Sequence, residues 1–225
     1  MRLWLIRHAD PNYANDSLTA KGHVQARLLA EALLAAPLDA IYVSPLGRAQ
    51  MTAQYTLERR NESATTLGWL AELRGGYRPG HVAWDMHPAD VLGSGQVIGV
   101  AEWVEQLEYG QRLLPVLQEF WDAWDAFCLD LGYERQGARY RIVESNEDQL
   151  AIFCHAGVIL SLLSHLLHIP PPLVYAHFGC DPSSVTVLET DEKDGWASFR
   201  LVVLNDMSHA PGLRRSPREH TRYGF

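Results

Sequence analysis

A chain of 225 residues with 47% hydrophobic and 20% charged content can build one sizeable core, within reach of a single α/β domain, and is not composed like a disordered protein. Its formal net charge of -8 argues against a general nucleic-acid binder, so any anion it handles must meet positive charge gathered in one pocket. Cys128, Cys154 and Cys180 are widely spaced with no C-x-x-C pair, which argues against structural zinc or a disulfide framework and suits a reducing cytoplasm. Met1-Arg2 leads straight into an apolar run, so no signal sequence is expected. The most apolar later segment, residues 158–167, is too short to span a bilayer, and no membrane partner is expected.

Leu3-Trp4-Leu5-Ile6 reads as a buried strand and ends on Arg7-His8-Ala9. Such a strand delivers a fixed cation and an imidazole to the sheet's carboxyl edge, where open α/β sheets hold their ligands. Asp10 to Ser17 has loop chemistry, and Ser17 or Thr19 can cap a helix in which Val24, Leu28, Leu29, Ala32 and Leu33 recur at helical spacing. Ala40 to Val43 is a second short strand. Pro45 cannot sit in a central strand, so a helix begins near it and runs towards Glu58. Thr65 to Leu70 reads as a third strand. Arg74 to Gly99, rich in Gly and Pro with His81, Trp84 and His87 among them, reads as an ordered loop with short helical turns and as a candidate lid. Trp84, Trp103, Tyr109 and Trp121 suggest an apolar-walled pocket in the cap, core packing being the other reading of most of these rings. Glu102 to Leu131 follows as one long helix whose aromatic stripe, Trp103, Phe120, Trp121, Trp124 and Phe127, belongs to a core-facing side.

Gly132 stops that helix. Ala138 to Val143 and Gln149 to Phe153, separated by a polar segment, read as a hairpin. The second of these ends on Cys154-His155, followed by Ala156-Gly157 and an apolar helix from Val158 to His168. Ser184 to Glu189 and Ser198 to Leu204 are two last strands, joined by a charged turn ending Asp194-Gly195. From Pro211 a tail with Arg214, Arg215, Arg218 and Arg222 has little apolar content and is expected to be loosely ordered, its charge solvated. The expected fold is a three-layer α/β/α sandwich around a mostly parallel central sheet with a helical and hairpin cap. It forms one domain over residues 1–210, with the cap inserted at about residues 75–148 and the basic tail at 211–225.

Three strand ends carry chemistry. Imidazole is nucleophilic near neutral pH without a second base, and beside a guanidinium that fits phosphate in a bidentate fork the Arg7-His8 pair suggests attack on a phosphoryl group. Cys154-His155-Ala156-Gly157 repeats the pattern and adds free backbone N–H groups at a helix N-terminus, a ready anion site that small residues let a ligand approach closely. Ser44-Pro45-Leu46-Gly47-Arg48-Ala49 supplies a second arginine at the same edge. Arg7, His8, Arg48 and His155 at three strand ends are hard to explain as core chemistry. His165 and His168 lie three apart on a helix but lack a third partner, so no metal ligand set is expected.

These motifs resemble the histidine phosphatase superfamily, the phosphoglycerate mutase-like proteins. The matching residues are Leu5-Ile6-Arg7-His8-Ala9, Leu18-Thr19-Ala20-Lys21-Gly22, the run from Val43 through Arg48 to Ala53, and Phe153-Cys154-His155-Ala156-Gly157-Val158. Ser183 to Val187 and Leu204 to His209 look like that family's last core strands. The resemblance implies that His8 accepts the phosphoryl group and that Arg7, Arg48 and His155, with Ala156 at the helix start, bind its oxygens. It also implies an acidic proton donor. Glu72 in Leu70-Ala71-Glu72-Leu73 is the best match, and Glu102 and Glu105 are rivals whose other reading is a solvated helix face. Two positions depart from the family's pattern: Ala9 stands where Gly is common, and Ala14 stands where Asn is frequent, with Asn12 and Asn15 nearby.

The expected activity is metal-independent hydrolysis of phosphate monoesters through a phosphohistidine on His8, acting on a small phosphate ester or a phosphopeptide with no cofactor. A mutase needs a cationic pocket for a multiply anionic acid, and the Arg74 to Gly99 segment has only Arg74 and Arg78 and no Lys. A non-catalytic phosphate-binding module is disfavoured by His8, both arginines and His155 together.

Overall fold

The computed structural model describes residues 1–214 of the chain. The N-terminal half lays down β1 (Arg2–Arg7), the two-residue strands β2 (Pro11–Asn12) and β3 (Ser17–Leu18), α1 (Ala20–Leu33), β4 (Ala40–Val43), α2 (Gly47–Arg60) and β5 (Thr65–Thr66). A cap segment holds β6 (Gly76–Arg78), β7 (His81–Val82), α3 (Pro88–Leu92), α4 (Trp103–Gln106) and α5 (Gly110–Asp130). The chain then forms β8 (Tyr133–Gln136), β9 (Arg139–Ile142), β10 (Gln149–Cys154), α6 (Ala156–Leu167), α7 (Pro171–His177), β11 (Val185–Lys193) and β12 (Trp196–Asp206).

One eight-stranded sheet runs β5-β4-β10-β1-β11-β12-β9-β8. Its first four strands are mutually parallel, and three of them, β4, β10 and β1, are the near-continuous apolar runs expected where both faces are covered. The other half is antiparallel, so the sheet is mixed rather than mostly parallel. Turn chemistry accounts for this: Asp194 and Gly195 both take positive φ, 53° and 80°, the pair a two-residue hairpin turn demands, and they fold β12 back on β11. The hairpin expected from Ala138 to Phe153 is likewise re-paired. β9 joins β8 across Gly137-Ala138 and extends the main sheet beside β12, while β10 enters the parallel half.

Alternate residues of the central strands face two cores. Leu3, Leu5, Leu150 and Ile152 belong to the larger, shared with α5, α6 and the cap. Ile6, Ala151, Phe153 and Val43 belong to the smaller, with α1 and α2. This is the three-layer arrangement. The aromatic stripe of α5 is core: Phe120 and Trp124 are buried and Trp69, Phe127 and Phe199 pack around Trp124. The single helix expected from Glu102 to Leu131 is two, because α5 begins hard against α4. A Cβ on Gly110 would stand 2.3 Å from the Val104 carbonyl oxygen, so only glycine fits the crossing. The expected third strand is short, since only Thr65–Thr66 pair with β4 before a 3-10 turn at Gly68–Leu70.

Of the tail, residues 211–214 are described and are tied down: Gln25 Nε2 donates to the Leu213 carbonyl at 3.3 Å, and Arg214 Nε meets Asp181 Oδ2 at 3.1 Å. Arg215, Arg218 and Arg222 lie outside the described residues. Among the described residues no helix is long and apolar enough to cross a membrane.

Candidate active site

Register assembles the site. In the parallel pairing of β1 with β10, Arg7 is opposite Cys154, so the next residues, His8 and His155, leave the sheet side by side with ring centroids 5.2 Å apart. β10 pairs with β4 so that Phe153 is opposite Val43, which brings Ser44 to the same row, its Oγ 2.7 Å from His155 Nε2. Arg48 follows in the first turn of α2. The sequence-derived set of Arg7, His8, Arg48 and His155 thus meets at one carboxyl edge, all four residues buried.

His8 is fully buried, and its Nδ1 lies 2.8 Å from the Ala9 carbonyl oxygen. A carbonyl only accepts, so Nδ1 carries the hydrogen and Nε2 bears the lone pair. Nε2 has no hydrogen-bond partner among the described residues. Burial, then the Arg7 cation, His155 and Arg48, hold the His8 pKa well below its ordinary value, so the ring is neutral. The His155 pKa is driven to about 2 by burial and by Arg48 and Arg7, and its Nδ1 also lacks a partner among the described residues. Arg7 is braced by donating to the Cys180 carbonyl.

Glu72 sits past the 3-10 turn at Gly68–Leu70 with its carboxylate drawn inward. Oε1 accepts the Leu73 N–H at 3.1 Å and Oε2 the Gly157 N–H at 3.4 Å. Burial raises its pKa to about 7, against the opposing pull of Arg7, Arg48 and the two amides. Gly157 is required here. A Cβ at this position would lie 2.6 Å from Glu72 Oε1 and 2.7 Å from the Trp84 ring, so glycine lets the carboxylate and the indole close over the start of α6. His155 takes an extended backbone (φ -133°, ψ 165°) and caps α6 with no side-chain bond to its amides, leaving the helix's positive end facing the cluster.

The rivals stand elsewhere. Glu102 and Glu105 are exposed on and beside α4, and Glu102 accepts the neighbouring Ala101 N–H. His165 pairs with Asp125 at 3.0 Å and stacks on Trp121, while His168 donates to the Ala138 carbonyl. No group of three or more His, Cys, Asp or Glu that could hold a metal occurs among the described residues.

Three site residues have contacts that the sequence does not give. Ser44 lay inside a matched motif, but its bond to His155 needs the β4–β10 register. Asp16 stands in left-handed backbone (φ 45°) at the end of the loop after His8, where its carboxylate accepts the Gly47 N–H and the Arg48 Nη1, both at 2.6 Å. Burial would raise its pKa, but those two bonds together hold it below the carboxylate range. The loop that lacks Asn at position 14 therefore grips Arg48 through Asp16, leaving Arg48 Nε without a partner among the described residues. Trp84 is one of the rings the sequence puts in the cap, but its place against Glu72 depends on the bare Gly157.

Next to the cluster opens a cavity of about 660 Å3 that reaches from Arg7 and Ala156 to the cap. Tyr13 stands at its inner end, edge-on to His8 at 6.5 Å with the Arg48 guanidinium 5.4 Å from its ring centre.

A mixed α/β sheet that gathers two arginines, two neutral imidazoles and an inward acid at one carboxyl edge has the equipment of a protein that binds and transfers a phosphoryl group. The family model of the histidine phosphatase superfamily (branch 1) matches residues 3–93 and 130–206, and the chain belongs to that superfamily. It is 29% identical over 211 residues to an adenosylcobalamin/alpha-ribazole phosphatase of Salmonella typhi, covering 90% of this chain and 96% of that protein. It is 24% identical to phosphoserine phosphatase 1 of Hydrogenobacter thermophilus, covering 86% and 88%. A solved structure of an Entamoeba histolytica phosphoserine phosphatase mutant with phosphoserine shares the fold at a TM-score of 0.60 and 19% identity, covering 93% of this chain and 98% of that one.

Proposed function

We propose that this protein is a phosphatase that hydrolyses phosphate monoesters through a phosphohistidine on His8. The observation that carries the reading is His8 Nε2, a lone-pair nitrogen held ready by the Nδ1 bond to Ala9, without a partner among the described residues and set beside Arg7, Arg48 and His155. Nε2 attacks phosphorus as the ester P–O bond breaks, and the guanidinium groups with the α6 N-terminus take up charge on the equatorial oxygens. Ser44 donates its hydroxyl proton to His155 Nε2, which leaves the imidazole hydrogen on Nδ1 to donate to a phosphoryl oxygen. The departing alkoxide takes the proton of Glu72. The Glu72 carboxylate then takes a proton from water as that water attacks phosphorus, the P–N bond breaks, and His8 regains its lone pair.

The relatives act, by their names, on alpha-ribazole and phosphoserine esters, which supports a small phosphate ester as substrate. The three free thiols fit the reducing cytoplasm suggested by composition. The test is release of nitrophenol from nitrophenyl phosphate by the wild type and by His8→Ala. The expected loss in the variant is on the order of a thousandfold or more, and equal release from both proteins would overturn the reading.

A further inference from the structure

We propose that Asp181 is a positioning residue for the phosphoryl site, acting through Arg7 and His8 rather than on the substrate. This rests on the phosphatase reading and deepens it. Three observations carry it. The first is what the turn at residues 180–184 touches. The Cys180 carbonyl accepts from the Arg7 guanidinium, the Ser184 carbonyl accepts the Arg7 N–H at 3.1 Å, and the Ser183 N–H donates to the His8 carbonyl at 3.0 Å. One turn thus grips Arg7 by its backbone and by its side chain, and holds the nucleophile from behind.

The second is what holds that turn. Asp181 stands within it, 2% exposed, and its carbonyl accepts the Ser184 N–H at 3.0 Å. Its own N–H donates to Asn205 Oδ1 at 2.6 Å, and its Oδ2 accepts from Asn205 Nδ2 and Arg214 Nε, both at 3.1 Å. Arg214 Nη2 also donates to the Asn205 carbonyl at 3.1 Å, so the three residues form one closed tie whose charge-assisted bonds are its strongest. A second fastening lies beside it, with the Ser183 hydroxyl and His209 Nε2 2.6 Å apart.

The third is what the arrangement costs. Ser183 stands in left-handed backbone (φ 70°), as does Asn205 (φ 52°), a residue more tolerant of it. Asp181 Oδ1 is buried with no partner among the described residues, which is unfavourable for a carboxylate oxygen. Strain and an unmet acceptor on the one turn that braces Arg7 and His8 mark a place held for geometry at the expense of stability. In-line transfer rewards that geometry, since a displacement of about 1 Å can cost on the order of a hundredfold in rate.

The experiment is a double-mutant cycle between Asp181→Ala and Arg7→Lys. It is read both as kcat/KM on nitrophenyl phosphate and as the dissociation constant of inorganic phosphate measured by calorimetry. Asp181→Ala alone is expected to weaken both by about tenfold or more, and Asp181→Asn, which keeps an acceptor, to recover most of the loss. In the Arg7→Lys background the same change is expected to cost severalfold less, because the fork it aims is already gone. Arg214→Ala, on the exposed side of the tie, is expected to give a smaller loss with the same coupling to Arg7, and it decides the matter where Asp181→Ala does not fold. Additive losses overturn the inference, because Asp181 then only stabilises the fold. Wild-type kcat/KM and phosphate affinity in Asp181→Ala or in Arg214→Ala overturn it as well. Coupled phosphate affinity with no ester hydrolysed by the wild type would support the inference and defeat the phosphatase reading beneath it.

Discussion

The phosphate end of the cavity and its cap end are made by different means. At the phosphate end, each reactive group leaves the carboxyl edge of a buried parallel strand or the first turn after it, so the positions of His8, His155 and Ser44 follow from hydrogen-bond register. At the cap end, the walls come from short strands, a 3-10 turn and a five-residue helix between Gly76 and Leu92, held by side-chain bonds such as Tyr77 to Asp90. Strand ends tied into a sheet hold a reacting group with little freedom, as in-line phosphoryl transfer needs. Loop-borne walls can change without disturbing the sheet. The contrast assigns reaction chemistry to one end and choice of alcohol to the other. Substitutions of the groups that hold the phosphoryl oxygens should lower activity on all esters alike, and those at the cap should reorder them.

The largest effect expected short of removing His8 is at Glu72. Glu72→Gln removes the proposed proton donor while keeping its shape, and kcat/KM on alkyl esters is expected to fall about 10²–10⁴-fold, much less on nitrophenyl phosphate, whose leaving group needs no proton. Because the acid must be protonated and its pKa stands at about 7, wild-type kcat/KM on alkyl esters should decline above about pH 7. His8, held well below its ordinary value by burial, keeps its lone pair at neutral pH. The same substitution tests stability. A carboxyl raised on folding from 4.5 to about 7 contributes its full stability below pH 4.5 and loses it as pH rises through about 7. Glu72→Gln should therefore raise the Tm at pH 8 relative to wild type, by the equivalent of about 3 kcal/mol, and by much less at pH 5. An identical Tm difference at both pH values would contradict the burial of this carboxyl.

Next in size is Arg48→Lys, which keeps a charge but loses the fork that meets both Asp16 and an anion. A drop of about 10²-fold on every ester is expected, and a change in ester order would blur the division between the two ends. Ser44→Ala frees His155 Nε2 from its hydroxyl partner and should cost about tenfold, again uniformly, measured as kcat/KM against two unlike esters. The smallest effect is at Trp84, which closes over Glu72 at Gly157. Trp84→Ala admits water to the carboxylate and should move the alkaline limb of the pH profile down by up to about one pH unit. An unmoved limb would mean that the indole does not seal the acid.

The two ends differ as much in legibility. Arg7, His8, Arg48 and His155 could be read from the chain because an apolar run followed by a polar tripeptide states both the strand and what it delivers. The motif order then placed Glu72. The antiparallel half of the sheet was harder, since β8 and β9 are short and their choice of partner depends on β12, about sixty residues later. Asp16 left no local trace, and Trp84 showed only as one more ring of the cap. One is a polar loop residue whose partner is thirty-two positions on, and the other is an aromatic whose role exists only because Gly157 leaves room for it.

The most direct test of the account is rapid quenching of the enzyme with phosphate-labelled nitrophenyl ester, in wild type, Glu72→Gln and His8→Ala. The account predicts one acid-labile, alkali-stable phosphoryl group on the peptide bearing His8. It should accumulate most in Glu72→Gln, where hydrolysis of the intermediate lacks its base, and be absent from His8→Ala. Turnover with no label on the chain in Glu72→Gln, or label on any other residue, would contradict it.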